Sequence, residues 1–320
     1  MRRPPIFVVL ILVLITASAI ARHHHPQVPD NPAFTRLADV LDERITESSG
    51  IAQSISQPDA IWVHNDSGDK PRLFLVGLDG ETRCVVTIRT KDPADWEDMC
   101  SFRANDANWL LIADVGDNAE RRGNDGPPCR LLIVPEPEID WKGRELVLST
   151  SPVLTIEFGW EDGPRNCESV AVDTETHEIL LVTKTKPSEA ALYTIPLNLT
   201  PGTLKATARR VCRAAIPFAT AMDVSTDGRK MVVTTMISAV LVNREADETW
   251  ADAWKKPLTV VTIPPQKQCE TICFLNTGTE VLVHSEGNRQ TLWKIQLAEK
   301  PSPPVRRSRS PKTSDSETNQ

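Results

Sequence analysis

Apolar residues in this chain come in runs of only a few positions, rich in Val, Ile and Leu and separated by Asn, Asp, Gly and Pro. Runs of that length and bounding predict strands joined by tight turns, not helices. Five of them begin in a similar way, at Glu47-Ser-Ser-Gly-Ile-Ala, Trp96-Glu-Asp-Met, Cys167-Glu-Ser-Val-Ala-Val, Ala221-Met-Asp-Val and Cys269-Glu-Thr-Ile-Cys-Phe. The spacing is near ~50 residues, as four-stranded repeats require, with one longer step between Glu97 and Glu168. Polar turns such as Gln57-Pro-Asp, Thr226-Asp-Gly and Asn276-Thr-Gly lead from each segment into a second stretch, for example Ala60-Ile-Trp-Val-His and Ile179-Leu-Leu-Val-Thr. Each pair reads as a hairpin.

Third strands are predicted at Leu73, Arg130, Ala191, Ala239 and Thr291, and fourth strands at Cys84, Val153, Ala208 and Leu258. The last repeat lacks its fourth strand, and Arg36-Leu-Ala-Asp-Val-Leu, upstream of the first, is free to supply it. Pairing the two ends would remove an exposed sheet edge. The expectation is an all-β, five-bladed β-propeller closed by an N-terminal strand. Six blades is the alternative, if the insertions Ala119 to Pro128 and Glu245 to Trp254 hide further strands; the second otherwise reads as a short polar insertion.

The ends differ from this pattern. Met1-Arg-Arg, the apolar run Ile6 to Ile15 and Ala19-Ile-Ala21 predict a signal peptide over 1–21, followed by a leader over 22–33 that contains His23 to His25. The product is then exported, to a periplasm or outside the cell; it is membrane-anchored if the signal is not cleaved. The propeller is expected over 34–297 and a disordered tail of Pro, Ser, Arg and Lys over 298–320. A formal net charge of −7 argues against nucleic acid as a partner and favours a bound cation. The seven cysteines fit small packing positions in the repeats better than a disulfide framework. A monomer is expected.

In an antiparallel hairpin the start of the first strand and the end of the second share one edge. The acidic segments therefore share a face with the loop after each second strand. Ser49, Glu97, Glu168 and Glu270 should ring the channel mouth, with Met222 or Asp223 completing the circle. Crowded carboxylates call for a cation, and oxygen donors at flexible spacing suit Ca²⁺; otherwise each acid bonds a neighbouring backbone. His64, Asp66 and His284 are candidates for general acid or base chemistry, since imidazole titrates near neutrality. Asn65, Asp69, Asp98, Asp114, Asp117, Asn118, Asn166 and Lys184 are the candidate ligand contacts on the same face. No nucleophile elbow, phosphate-binding Gly loop or HExxH motif occurs in the sequence.

At Ser49-Gly50, Trp62 with His64 to Asp69, Asp95 to Asp98, Gly116 to Asn118 and Glu136-Pro137, the chain resembles a group of exported bacterial β-propeller proteins, mostly uncharacterised. That resemblance implies export and a propeller, and names no reaction. In architecture it is similar to the five-bladed calcium-activated nucleotidases (apyrases), which hold Ca²⁺ on the axis with one Ser or Glu from each inner strand. Ser49, Glu97, Glu168 and Glu270 match that arrangement, and Met222 departs from it. The expected function is a ligand- or partner-binding platform with an acidic, Ca²⁺-holding mouth; the alternative is a secreted metal-assisted hydrolase of phosphoesters or glycans.

Overall fold

The computed structural model describes residues 33–90, 95–123 and 126–297. The expected signal, most of the leader and the tail lie outside them. In chain order the strands are β1 (Phe34–Asp39), β2 (Ser48–Gln53), β3 (Ala60–Asn65), β4 (Arg72–Gly77), β5 (Thr82–Ile88), β6 (Trp96–Ala104), β7 (Ala107–Asp114), β8 (Cys129–Pro135), β9 (Leu146–Thr150) and β10 (Leu154–Trp160). They continue with β11 (Cys167–Asp173), β12 (Glu178–Thr183), β13 (Ala191–Pro196), β14 (Gly202–Arg213), β15 (Ala219–Val224), β16 (Lys230–Thr235) and β17 (Ala239–Asn243). The one helix among the described residues, α1 (Trp250–Ala253), precedes β18 (Thr259–Val261), β19 (Cys269–Phe274), β20 (Glu280–Ser285) and β21 (Thr291–Gln296).

Antiparallel meanders β2-β3-β4-β5, β6-β7-β8-β10, β11-β12-β13-β14, β15-β16-β17-β18 and β19-β20-β21 account for nearly all of the pairing. β2 packs on β6, β6 on β11, β11 on β15, β15 on β19, and β19 back on β2, so the first strands close a circle. A circle of meanders with their first strands innermost is a β-propeller. β1 pairs antiparallel with β21, joining the two ends of the described chain in one sheet as the pattern implied.

Two pairings were not legible. β9 adds to β5 in parallel as an outermost strand, and β10 runs parallel to β14, fusing two meanders into one eight-stranded sheet. β9, Leu146-Val-Leu-Ser-Thr, is β-prone in sequence but largely exposed, so nothing in its pattern assigns it to the edge of another repeat.

Alternation explains why the strands read as continuous apolar runs. On β3, Ile61 and Val63 face the β19 meander while Ala60 and Trp62 face the β6 meander. On β12, Ile179 and Leu181 pack toward β6–β10 and Leu180 and Val182 toward β15–β18. Both faces of each sheet are buried, so both parities must be apolar.

Polar latches tie adjacent meanders on the face opposite the acidic segments. The Glu136 carboxylate accepts from Ser54 Oγ (2.6 Å), Ile55 N (3.1 Å), Ser56 N (3.1 Å), Ser56 Oγ (3.0 Å) and Trp62 Nε1 (2.9 Å). Glu136→Gln turns one acceptor oxygen into a donor facing donors, and is expected to cost about 2 kcal/mol in urea unfolding. The insertion around α1 is not simply polar: Thr249 caps the helix, and the buried Trp250 donates its indole N–H to Asp173 (2.8 Å).

Candidate functional site

Each inner strand is bulged at its first turn against its partner. The irregularities fall between Ser48 and Gly50, Trp96 and Asp98, Cys167 and Ser169, Ala219 and Ala221, and Cys269 and Thr271. The extra residue at each bulge is therefore Ser49, Glu97, Glu168, Thr220 and Glu270. Bulges re-aim a side chain out of the ladder, and here they present five oxygen-bearing side chains at equivalent positions around the circle. This corrects the expectation for the β15 repeat. Neither Met222 nor Asp223 completes the set; Thr220 does.

Hydroxyl and carboxylate members of the set differ in their bonding. Ser49 Oγ donates to Glu97 O of the next inner strand (2.6 Å), and Thr220 Oγ1 donates to Cys269 O of the next one (2.9 Å). Glu97 has Asp66 and Asp95 beside it, with one oxygen from each of the three within 4.8 Å of the others. Burial raises the Glu97 carboxyl well above its usual range, and the charges of Glu168, Asp66 and Asp95 add to the effect. Burial likewise holds Asp95 at about 6 and Glu168 at about 7, although Lys184 is bonded to Glu168 and opposes the shift. Glu286, beside Glu270, is raised to about 8 by burial and by that neighbour. Gly116 lets this crowd form, because a Cβ there would stand 2.1 Å from Glu97 Oε1 and 2.4 Å from Asp95 Oδ2.

The remaining predicted contacts are mostly bonded elsewhere. Asp98 lies fully buried below the mouth and crosses the axis: its Oδ2 accepts from Val170 N (2.8 Å) and Met222 N (3.0 Å), and its Oδ1 from Met99 N (2.9 Å). Asp223 does the same between strands, accepting from Val224 N (2.8 Å) and Phe274 N (2.8 Å), with burial raising it to about 7. These two acids satisfy amides on the inner edges of the sheets, so both leave the site. Asp114 is buried between Arg122 and Arg130. Asn65 accepts from Thr46 N and Glu47 N and donates to Asp69, which also holds Arg72. Asn166 accepts from Asp117 N (2.8 Å) and donates to Asn118 (3.1 Å), while Asp117 takes the Arg122 N–H, so this loop is bonded to itself. Of the eight predicted ligand contacts, Lys184 bonds a mouth carboxylate, that of Glu168, and Asp114 accepts from the Asp95 backbone N–H (3.1 Å).

The histidines are also corrected. His64 is 0% exposed, stacked edge-on to Trp96, and its Nε2 lies where a Cβ on Gly50 would come within 2.3 Å. His284 is 1% exposed, and burial lowers it to about 4. Burial lowers His64 as well. Neither ring reaches solvent, so neither can exchange a proton with a substrate at the mouth. Asp66 remains there, half-buried beside Asp95 and Glu97. All seven cysteines are free, six of them buried.

No family model matches the chain, and no curated protein does. Among solved structures it is similar to the WD40 domain of Neurospora crassa Pan2, at 11% identity and a TM-score of 0.41, covering 86% of this chain and 100% of that one. No residue role is taken from that likeness. Among the described residues no helix is long and apolar enough to cross a membrane.

Sequence spacing passes over Thr220 and Glu286. Thr220 is visible once Ala219-Thr-Ala-Met-Asp is laid on Cys269-Glu-Thr-Ile-Cys, matching small residue to small residue instead of acid to acid. Asp95 was within reach, next to Trp96, but only the turn-in at Gly116 shows why it belongs with Glu97.

Proposed function

We propose that this chain is a five-bladed propeller whose mouth is a binding platform for a partner, organised by a Ca²⁺ ion held among the bulge residues. What carries the reading is the bulge register, which offers an oxygen donor from every one of the inner strands: Ser49, Glu97, Glu168, Thr220 and Glu270. The cyclic packing of β2, β6, β11, β15 and β19 supports the blade count. An all-oxygen donor set with several carboxylates fits a hard cation of six to eight ligands. It fits less well a soft metal, since the imidazoles and thiols that border the inner strands, His64, His284, Cys167 and Cys269, are sealed in the core. Calcium would neutralise the mouth acids in the role Lys184 now fills for one of them.

A platform is favoured over a hydrolase because His64 and His284, the imidazoles nearest the mouth among the described residues, are buried and cannot move protons there. The signal-like start supports an exported protein, periplasmic or secreted, and a monomer remains the expected state.

Titration calorimetry of the chelated protein with CaCl₂ tests the cation. One saturable site is expected, abolished in Glu97→Gln and Glu168→Gln. Thr220→Val should weaken it severalfold and cost about 1 kcal/mol of stability, from the lost bond to Cys269 O. Absence of binding heat together with an unchanged Tm would remove calcium from the reading.

A further inference from the structure

The turn that joins β16 to β17 breaks the chemistry of its position. It closes on Thr235 N donating to Ser238 O (2.7 Å) and leaves Met236 and Ile237 at the tip. Such a tip ordinarily takes Gly, Asn or Asp. The turns in the same place after β3 (Asp66 to Lys70), β12 (Lys184 to Glu189) and β20 (Glu286 to Gln290) are indeed polar. Here Ile237 is 85% exposed and Met236 39%.

Phe218 lies on the same rim, immediately before β15, 52% exposed and at φ 47°. A bulky residue enters that backbone region only at a cost. Its N–H is anchored to Thr185 O (2.9 Å), which fixes its backbone at the mouth edge, two residues from Thr220. Three large apolar side chains facing water together on one sector of the rim are a candidate contact surface.

Acid borders this patch directly. Met236 O accepts from Cys269 N (3.3 Å), the residue before Glu270. Gln268 Nε2 donates to both Glu270 (3.1 Å) and Glu286 (2.9 Å), holding the two carboxylates together. Among the described residues no lysine or arginine forms an ion pair with either of them, whereas Glu168 already has Lys184. The patch therefore offers an apolar contact and, beside it, a place for a positive charge.

We propose that the Phe218–Met236–Ile237 rim with Glu270 and Glu286 docks an extended segment of a protein partner that carries a bulky apolar side chain next to an arginine or lysine. This rests on the reading of the mouth as a binding face and names the chemistry of its partner. A membrane is disfavoured by the same charges, since the acids and the net charge of −7 repel anionic headgroups. A second copy is disfavoured for the same reason.

The test is selection of a phage-displayed random dodecapeptide library on the full chain, followed by fluorescence polarisation with the enriched peptides. Peptides pairing an aromatic or aliphatic residue with Arg or Lys should emerge. Their affinity should fall about tenfold or more in Ile237→Asn, a residue the turn accepts readily, at an unchanged Tm, and severalfold in Glu286→Gln. If enriched peptides bind Ile237→Asn as well as wild type, this inference fails and the binding-face reading survives. Enrichment of no peptide at all overturns both. Self-association, or binding to phosphatidylserine vesicles, that Ile237→Asn removes would assign the patch to those occupants and overturn the proposal.

Discussion

Replacing Asp98 by Ala is expected to lower stability by about 3–5 kcal/mol, the largest effect of any single substitution outside the apolar core. The inner strands are sheet edges, and on the channel side their amides have no ladder partner. Asp98 supplies one carboxylate to three of them, on its own strand, on β11 and, across the axis, on β15. Removing it leaves three buried N–H groups unbonded at the place where three meanders converge. Asp98→Asn keeps one oxygen and should lose less, about half as much. Urea midpoints measured at constant m check the prediction; equal stability of wild type and Asp98→Ala would mean that water or backbone shifts satisfy those amides.

Stability without a divalent cation should fall steadily from about pH 4 to pH 8, and calcium should restore it increasingly toward the top of that range. Proton counts set the sign. Asp95 at about 6, Glu168 at about 7 and Glu286 at about 8 all lie above the ~4 of unfolded carboxylates. The folded state therefore holds more protons than the unfolded one, and raising pH favours unfolding until the folded groups have ionised. His284 offsets part of this between about pH 4 and ~6.5: neutral when folded, it favours unfolding as pH drops from its unfolded ~6.5 toward its folded value of about 4, one group against the three carboxyls. The metal-free protein should be most stable near about pH 4–5, with losses on the order of a few kcal/mol by pH 8. A cation that displaces the mouth protons moves that optimum upward. Thermal melts at fixed ionic strength, with and without chelator, measure both. A metal-free Tm that stays flat or rises to pH 8 would show that the mouth acids ionise without strain.

The hairpins, their order and the end-to-end pairing were legible because both faces of each sheet are buried, which writes each strand into the sequence as an unbroken apolar run. Parallel pairing at the rim was not, since β9 and much of β14 meet water and their apolar residues do not show which neighbouring strand they join. The site divided in the same way. Glu97, Glu168 and Glu270 stood out by type and spacing, but acid alone does not distinguish a mouth residue from one that bonds the backbone. Asp98 and Asp223 have the right chemistry at the wrong depth. Thr220 has the right depth with modest chemistry, and only the bulge register separates them.

The parallel seam between β10 and β14 also bears on how the ring comes apart. Adjacent meanders elsewhere share only isolated backbone bonds, apart from the β5–β9 pairing, whereas these two share a parallel ladder of seven residue pairs at their outer edges as well as packing at their inner ones. They therefore form a single cooperative block, the part of the circle that opens last. The β15–β18 meander lies next to that block but outside its ladder, and its three-residue outer strand gives its outer edge few backbone bonds beside the Met236–Ile237 turn. The apolar rim thus sits on the sheet whose outer edge is the most weakly paired among the described strands.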